Sequence, residues 1–186
     1  QMCIRDRDDV EDDGGDPVID YRVTGFSGTT SIGVVTCAAI TTTSCRTSGL
    51  TIGTNYSFKV SARNDAGFGS TSFETDPIVP VTNPGAPTTV AAVSNRDTTS
   101  RVTWRAPRVT GGSVITRYIV TATPGDLRCI APGDALFCDV TGLTNGVTYT
   151  FTVKAQNTLL RSEASTSATA TPTGVPTKPR NVTATS

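Results

Sequence analysis

The chain has 186 residues, in which 16 Lys and Arg balance 16 Asp and Glu, and it contains no histidine. A formal charge of zero gives no global attraction to nucleic acid or to an acidic membrane. Without histidine the chain cannot build Ser-His-Asp, Cys-His or histidine-bearing zinc sites.

The opening Gln1–Arg7 provides neither a strand pattern nor a helix cap and reads as an assembly or translation artefact, an acidic linker being the alternative. The acids that follow, Asp8, Asp9, Glu11, Asp12 and Asp13, lack the glycine and closing glutamate of a calcium loop and read as a solvated tail. Residues 1–13 are therefore placed outside any domain. From Gly14 the pattern changes to short alternating runs of Val, Thr, Ser and aromatics that end in Gly, Pro or Asn, as strands and turns do. A glycine pair, Gly14-Gly15, stands seven residues before the strand residue Tyr21, and Gly111-Gly112 stands likewise before Tyr118. Both pairs suit a turn that needs positive φ.

Pro77, Pro80, Pro84 and Pro87 form a semi-rigid joint. Beyond it, strands are expected at Thr88–Val93, Thr99–Trp104, Ile115–Ala122, Leu127–Ile130, Leu136–Val140, Thr148–Gln156 and Ala164–Thr171. Val90 and Val93 cannot share one face under simple alternation, so a bulge is expected in the first of these. Seven short strands at this spacing make a two-sheet sandwich. Trp104, Tyr118 and Tyr149 are core candidates. The loop Asn157–Ser162 carries Leu159 and Leu160 where its counterpart Asn64–Ser70 carries glycines. These leucines fill a local gap, pack against a following module or form an exposed contact, in that order of preference.

The repeat settles the organisation. Leu50–Asn64 returns as Leu143–Asn157, both reading Leu-x-x-Gly-x-x-Tyr-x-Phe-x-Val-x-Ala-x-Asn, at a spacing of 93 residues. That is the size of a small sandwich domain and too long for a solenoid unit. Residues 81–175 make one complete module, with Leu143 and Tyr149 in its core. Residues 14–80 make a second module, with Leu50 and Tyr56 in its core, that lacks counterparts of the first two strands. An unpaired edge and a bared core should leave it unstable alone unless another surface covers it. Residues 176–186 are a linker and the start of a third module, since Lys178–Thr185 is similar to Ala86–Val93. On this reading the chain is cut from a longer array.

Cys37 and Cys45 are eight apart, Cys129 and Cys138 nine apart, and Cys45 and Cys138 both precede the repeated leucine by five residues. One pair per module favours disulfides Cys37–Cys45 and Cys129–Cys138 over a zinc site, whose ligands would have to come from two domains. Cys3 is left over. Disulfides place the chain in an oxidising setting, extracellular or at a cell surface.

Trp104 with Pro107, the Gly-Gly turns, Tyr118 and the repeated block together resemble the fibronectin type III family. The resemblance covers residues 81–175 as one module, 14–80 as the later strands of another, and 176–186 as a further start. It implies an all-β, immunoglobulin-like fold with tandem modules, and a tyrosine corner at Leu50–Tyr56 and Leu143–Tyr149. Modules of this kind, threonine-rich with a short cysteine hairpin, are similar to those of secreted or surface proteins of bacteria. The role so implied is a non-catalytic spacer in a multidomain protein, whose partners are the adjacent domains of the same polypeptide. The alternative is a carbohydrate-binding or adhesive module, accessory to a secreted hydrolase, that contacts polysaccharide or a surface protein. No catalytic, cofactor or metal residues are assigned. Nucleic acid and membrane insertion are excluded as partners, since no apolar run approaches the roughly 20 residues a spanning helix needs.

Overall fold

A computed structural model describes residues 2–5, 10, 12–35, 44–176, 178 and 180. The chain forms two compact units, Gln1–Thr82 and Asn83–Ser186, here called module 1 and module 2. Both are built from antiparallel strands.

Module 2 contains β7 (Thr88–Arg96), β8 (Thr99–Arg105), β9 (Ile115–Thr123), β10 (Leu127–Pro132), β11 (Phe137–Thr141), β12 (Tyr149–Asn157) and β13 (Ala168–Ala170). One sheet has the order β10-β9-β12-β13 and the other β11-β8-β7. Alternation places the core. Along β12, Tyr149, Phe151, Val153, Ala155 and Asn157 are buried while the residues between them face outward. The register aligns Phe151 with Ala122, Val153 with Val120 and Ala155 with Tyr118, so same-face pairs meet inside the sandwich. From the facing sheet Val102, Trp104, Cys138 and Val140 close the core.

The first strand holds its valines through irregularity. Pairing of β7 with β8 shifts between Thr88 and Ala91 and again between Val93 and Arg96. Val90 then packs against the core while Val93 faces solvent. The last strand is shorter than the expected Ala164–Thr171, because serine side chains interrupt it. The Ser162 N–H donates to Ala155 O (2.8 Å) and the Ala155 N–H donates to Ser162 Oγ (2.9 Å). Ser165 makes the same exchange with Val153, at 2.9 Å in both directions. A hydroxyl stands where a strand carbonyl would, so only Ala168–Ala170 remain in regular pairing.

Module 1 contains β1 (Met2–Arg5), β2 (Asp20–Ser27), β3 (Thr30–Val34), β4 (Ser44–Thr47), β5 (Ser57–Asn64) and β6 (Gly67–Phe68). Its sheets are β3-β2-β5-β6 and β1-β4. The opening segment, expected to provide no strand, does so over Met2–Arg5 by pairing its backbone antiparallel with β4. Its register, Ile4 opposite Cys45 and Cys3 opposite Arg46, is that of Val102 opposite Cys138 and Arg101 opposite Asp139. So β1 occupies the place of β8, and among the described residues no strand takes the place of β7. The core consists of Val23, Val35, Cys45, Tyr56, Phe58 and Val60. Both glycine pairs adopt positive φ, 73° and 80° at Gly14 and Gly15, and 76° and 82° at Gly111 and Gly112.

Candidate functional site

The repeated residues act on their own modules. Tyr149 opens β12, and its hydroxyl accepts the Thr144 backbone N–H at 3.0 Å. Tyr56 stands just before β5 and accepts the Thr51 N–H at the same distance. Thr51, through its hydroxyl and then its amide, holds the Tyr56 phenol below its ordinary range. Leu143 is buried in the module 2 core, and Leu50 packs half-buried against that of module 1. Each corner therefore ties the loop before the long central strand to the tyrosine at that strand's start.

Trp104 and Tyr118 lie in contact inside module 2, with ring centroids 5.1 Å apart and planes tilted by 53°. They are 3 % and 0 % exposed, so neither ring offers a face to a ligand. The indole N–H and the Tyr118 hydroxyl find no hydrogen-bond partner among the described residues. Burial pushes the Tyr118 phenol up.

Cys129 on β10 and Cys138 on β11 form a disulfide with a Cα–Cα distance of 6.2 Å. These strands belong to different sheets, so the bond staples one layer to the other. Closing a loop of this size stabilises by about 2–3 kcal/mol through the unfolded chain. Cys45 is buried and disulfide-bonded. Cys37 lies outside the described residues.

The closing asparagine of the repeat has a role that its reading as a motif position did not supply. Asn157 is fully buried, and its Oδ1 accepts the N–H groups of Leu159 (3.2 Å) and Leu160 (2.8 Å). Its Nδ2 donates to Thr110 O at 3.1 Å. In module 1, Asn64 Oδ1 accepts the Ala66 N–H at 3.0 Å, and its Nδ2 donates to Asp13 O at 2.9 Å. Each asparagine pins the loop after its strand to the loop beside the glycine pair. With Asn157 closing the turn, no glycine is needed, and Leu159 is left 72 % exposed rather than filling the core. Leu160 is half-buried. The described part of the acidic run also has structural work: Asp12 and Asp13 accept the N–H groups of Gly14 and Gly15 at 2.9 and 2.8 Å.

Three ring faces on the outer surfaces are covered by cations. The Arg22 guanidinium lies 3.5 Å from the Phe68 centroid, Lys59 Nζ 5.2 Å from that of Phe26, and the Arg101 guanidinium 4.5 Å from that of Phe137. Phe73 is 99 % exposed. Arg101 also forms a two-bond pair with Asp139, both contacts at 2.8 Å, and this pairing holds the Asp139 carboxyl below its ordinary value.

One cleft, of about 620 Å3, opens in module 1. Tyr21, Val60 and Ala62 form its apolar wall, Phe68 and Ser72 its flank, and Asp12 and Asp13 its acidic rim. At the matching positions of module 2, Tyr118, Val153 and Ala155 are each 0 % exposed. There Trp104 covers Tyr118, and the segment ahead of β7 runs alongside: Asn83 Nδ2 donates to Arg161 O (2.7 Å) and the Gly85 N–H to Val109 O (2.8 Å). Among the described residues, the cleft is the place in module 1 that Trp104 and the segment ahead of β7 occupy in module 2.

Among the described residues no group of three or more His, Cys, Asp or Glu is placed to hold a metal, and no helix is long and apolar enough to cross a membrane.

Exoglucanase B of Cellulomonas fimi is 31 % identical to this chain over 170 residues. The match takes in 88 % of the chain and 15 % of that enzyme's length, so the chain corresponds to a small part of it. A crystal structure of domains A168-A170 from titin superposes with a TM-score of 0.56 at 22 % identity, over 84 % of this chain and 56 % of that one. The chicken CNTN1 FN1-FN3 domains superpose with a TM-score of 0.52 at 17 % identity, over 83 % and 56 %. At these identities the two structures establish likeness of fold alone. Strands β1 to β5 of module 1 take the places of β8 to β12 in module 2, and the fibronectin type III domain matches residues 9–78 and 85–171, so the chain belongs to the fibronectin type III family.

Proposed function

We propose that this segment is a non-catalytic spacer that holds other domains of an exported protein at a set separation. The observation that carries this reading is the use made of the repeated polar residues. Tyr56 and Tyr149, and Asn64 and Asn157, all bind backbone of their own module. Groups conserved between the copies in this way serve the scaffold and leave no shared set for chemistry. The proline-bearing segments Pro77–Pro87 and Pro172–Pro179 suit joints of limited bending. The Cys129–Cys138 disulfide supports an extracellular or cell-surface location. Likeness to part of an exoglucanase supports a parent protein that acts on polysaccharide, with the adjacent domains as the partners of this segment.

A second reading, direct contact with carbohydrate, is favoured by the same relative and by the fully exposed Phe73. The two readings separate on insoluble cellulose. The spacer reading expects the 186-residue chain to remain in the supernatant. It also expects a fixed separation, by energy transfer, between fluorescent proteins fused to its two ends. Retention on cellulose that is lost in Phe73→Ala would replace the spacer with the binding module.

A further inference from the structure

The four-stranded sheet of module 2 gathers positive charge that the sequence scatters. Its strands β9, β10, β12 and β13 contain no Asp or Glu. On its outer face the register lays residues in rows: Arg117 beside Gln156, Ile119 beside Lys154, and Thr121 beside Thr152. Arg128 of β10 extends the row of Thr121. At one end of this track Gln156 holds two arginines at once. Its Oε1 accepts the Nε–H of Arg117 at 3.0 Å and that of Arg161 at 2.8 Å. Like charges drawn to one neutral amide repel each other, and among the described residues no carboxylate pairs with either. Arg101 on the other sheet differs, since Asp139 neutralises it. Each guanidinium of the pair spends only its Nε–H on Gln156 and keeps four Nη–H donors for an outside acceptor.

We propose that this face binds a polyuronate, an acidic polysaccharide, with one carboxylate held by the Arg117–Arg161 pair and the sugar chain lying along the strands. Guanidinium groups match a carboxylate with charge-assisted, paired hydrogen bonds. The two arginines already converge on a planar carbonyl oxygen, that of Gln156. Beyond them, positive charge recurs at Lys154 and Arg128. From Gln156 to Thr152 the track runs about 14 Å at the rise of an antiparallel strand, so a polymer with an acid on each unit meets successive cations. The hydroxyls of Thr121 and Thr152 both donate and accept, which suits sugar hydroxyls. No aromatic ring faces outward from these strands, as stacking by a single-stranded nucleic acid would require. This binding goes beyond the spacer role and needs neither Phe73 nor cellulose, so its failure would leave both of those readings standing.

The test is titration calorimetry of the 186-residue chain with oligogalacturonate, beside its methyl ester, which keeps the sugar and loses the charge. The expected result is binding of the acid form, weakened by added salt, and none of the ester. Arg117→Gln combined with Arg161→Gln should weaken binding at least about tenfold through lost charge-assisted hydrogen bonds. Gln156→Glu should weaken it as much while both arginines remain, because it sets an internal carboxylate between them. The melting temperature of Gln156→Glu should not fall, which separates lost binding from lost folding. Arg105→Gln, an exposed site on the other sheet, should bind as the unchanged chain does. No binding of oligogalacturonate, equal binding of the ester, or full binding by Gln156→Glu each overturns the proposal. So does an equal loss in Arg105→Gln, which would reduce the effect to net charge. Tighter binding of a sulfated oligosaccharide or of inorganic polyphosphate would overturn it as well, by giving the face to another anion.

Discussion

Replacing Trp104 with alanine tests the module 2 core at its largest ring. Truncating a buried Trp typically costs about 3–5 kcal/mol through lost contacts and the cavity left behind. Trp104 fits that case, being 3 % exposed with its ring against Tyr118. One effect runs the other way: its indole N–H has no partner among the described residues, and removing such a buried donor returns about 1–3 kcal/mol. Taking the middle of each range, the net expected loss is about 2 kcal/mol. At about 4–8 °C per kcal/mol for a domain of this size, the melting point should fall by roughly 8–16 °C. Trp104→Phe keeps most of the ring and deletes the N–H, so its cost should stay below about 1.5 kcal/mol. Fluorescence cannot follow these variants, because Trp104 is the chain's single tryptophan. Amide exchange can, with Val120 and Val153 reporting module 2 and Phe58 serving as the module 1 reference. A loss under about 1 kcal/mol in the alanine variant would refute the packing role. Equal losses for alanine and phenylalanine would refute the reading that the bulk of the ring, which phenylalanine keeps, carries the stability.

Tyr149→Phe removes the acceptor of the Thr144 N–H and should cost about 0.5–1.5 kcal/mol in urea unfolding, with Tyr56→Phe costing a similar amount in module 1. A neutral result in both would show that the corners are decorative. Asn157→Ala strips three hydrogen bonds from two loops at a fully buried site, so about 2–4 kcal/mol should be lost, with fast exchange at Leu160 as its local sign. Asp139 has its folded pKa lowered by Arg101, so its contribution to stability is fully present above the unfolded carboxyl value of about 4 and fades as pH falls through the lowered folded value. Asp139→Asn should therefore flatten the loss of stability between about pH 5 and pH 2. An unchanged acid profile would mean that the ion pair adds nothing.

Strand centres were legible because burial enforces alternation: Phe151, Val153 and Ala155 had to share a face, and a slip of one residue would have turned them all to water. The bulge in β7 was legible for the same reason, from two valines that one face could not hold. What escaped the sequence was hydrogen bonding by side chains. Ser165 looks like an ordinary strand residue and Ser162 like the end of a loop, yet their hydroxyls replace carbonyl acceptors, and that of Ser165 shortens the expected last strand. Leu159 looked like a core filler because the glycines of its counterpart were missing, and nothing in composition revealed that Asn157 closes that turn instead. The strand at Met2–Arg5 is specified by pairing with β4, a contact across some forty residues that its own pattern does not announce. The recurrence of Asn64 and Asn157 at the end of the repeat was the one visible signal for a loop-pinning role.

The serine exchange along the final strand has a consequence for chains built from many such units. Each hydroxyl accepts a backbone N–H of the neighbouring strand and donates its own O–H to the next carbonyl: Ser162 to Glu163 O at 2.6 Å and Ser165 to Thr166 O at 2.8 Å. Module 1 repeats the device, with Ser72 donating to Phe73 O and Thr75 to Asp76 O. Both halves of the potential ladder are consumed locally, so a stray β-segment meets a broken comb instead of a template. Covalent tethering crowds near-identical sandwiches at high local concentration, which is where rogue fusion between siblings is most dangerous. At this edge, a polypeptide armed this way at every bead can lengthen without its siblings pairing strand to strand.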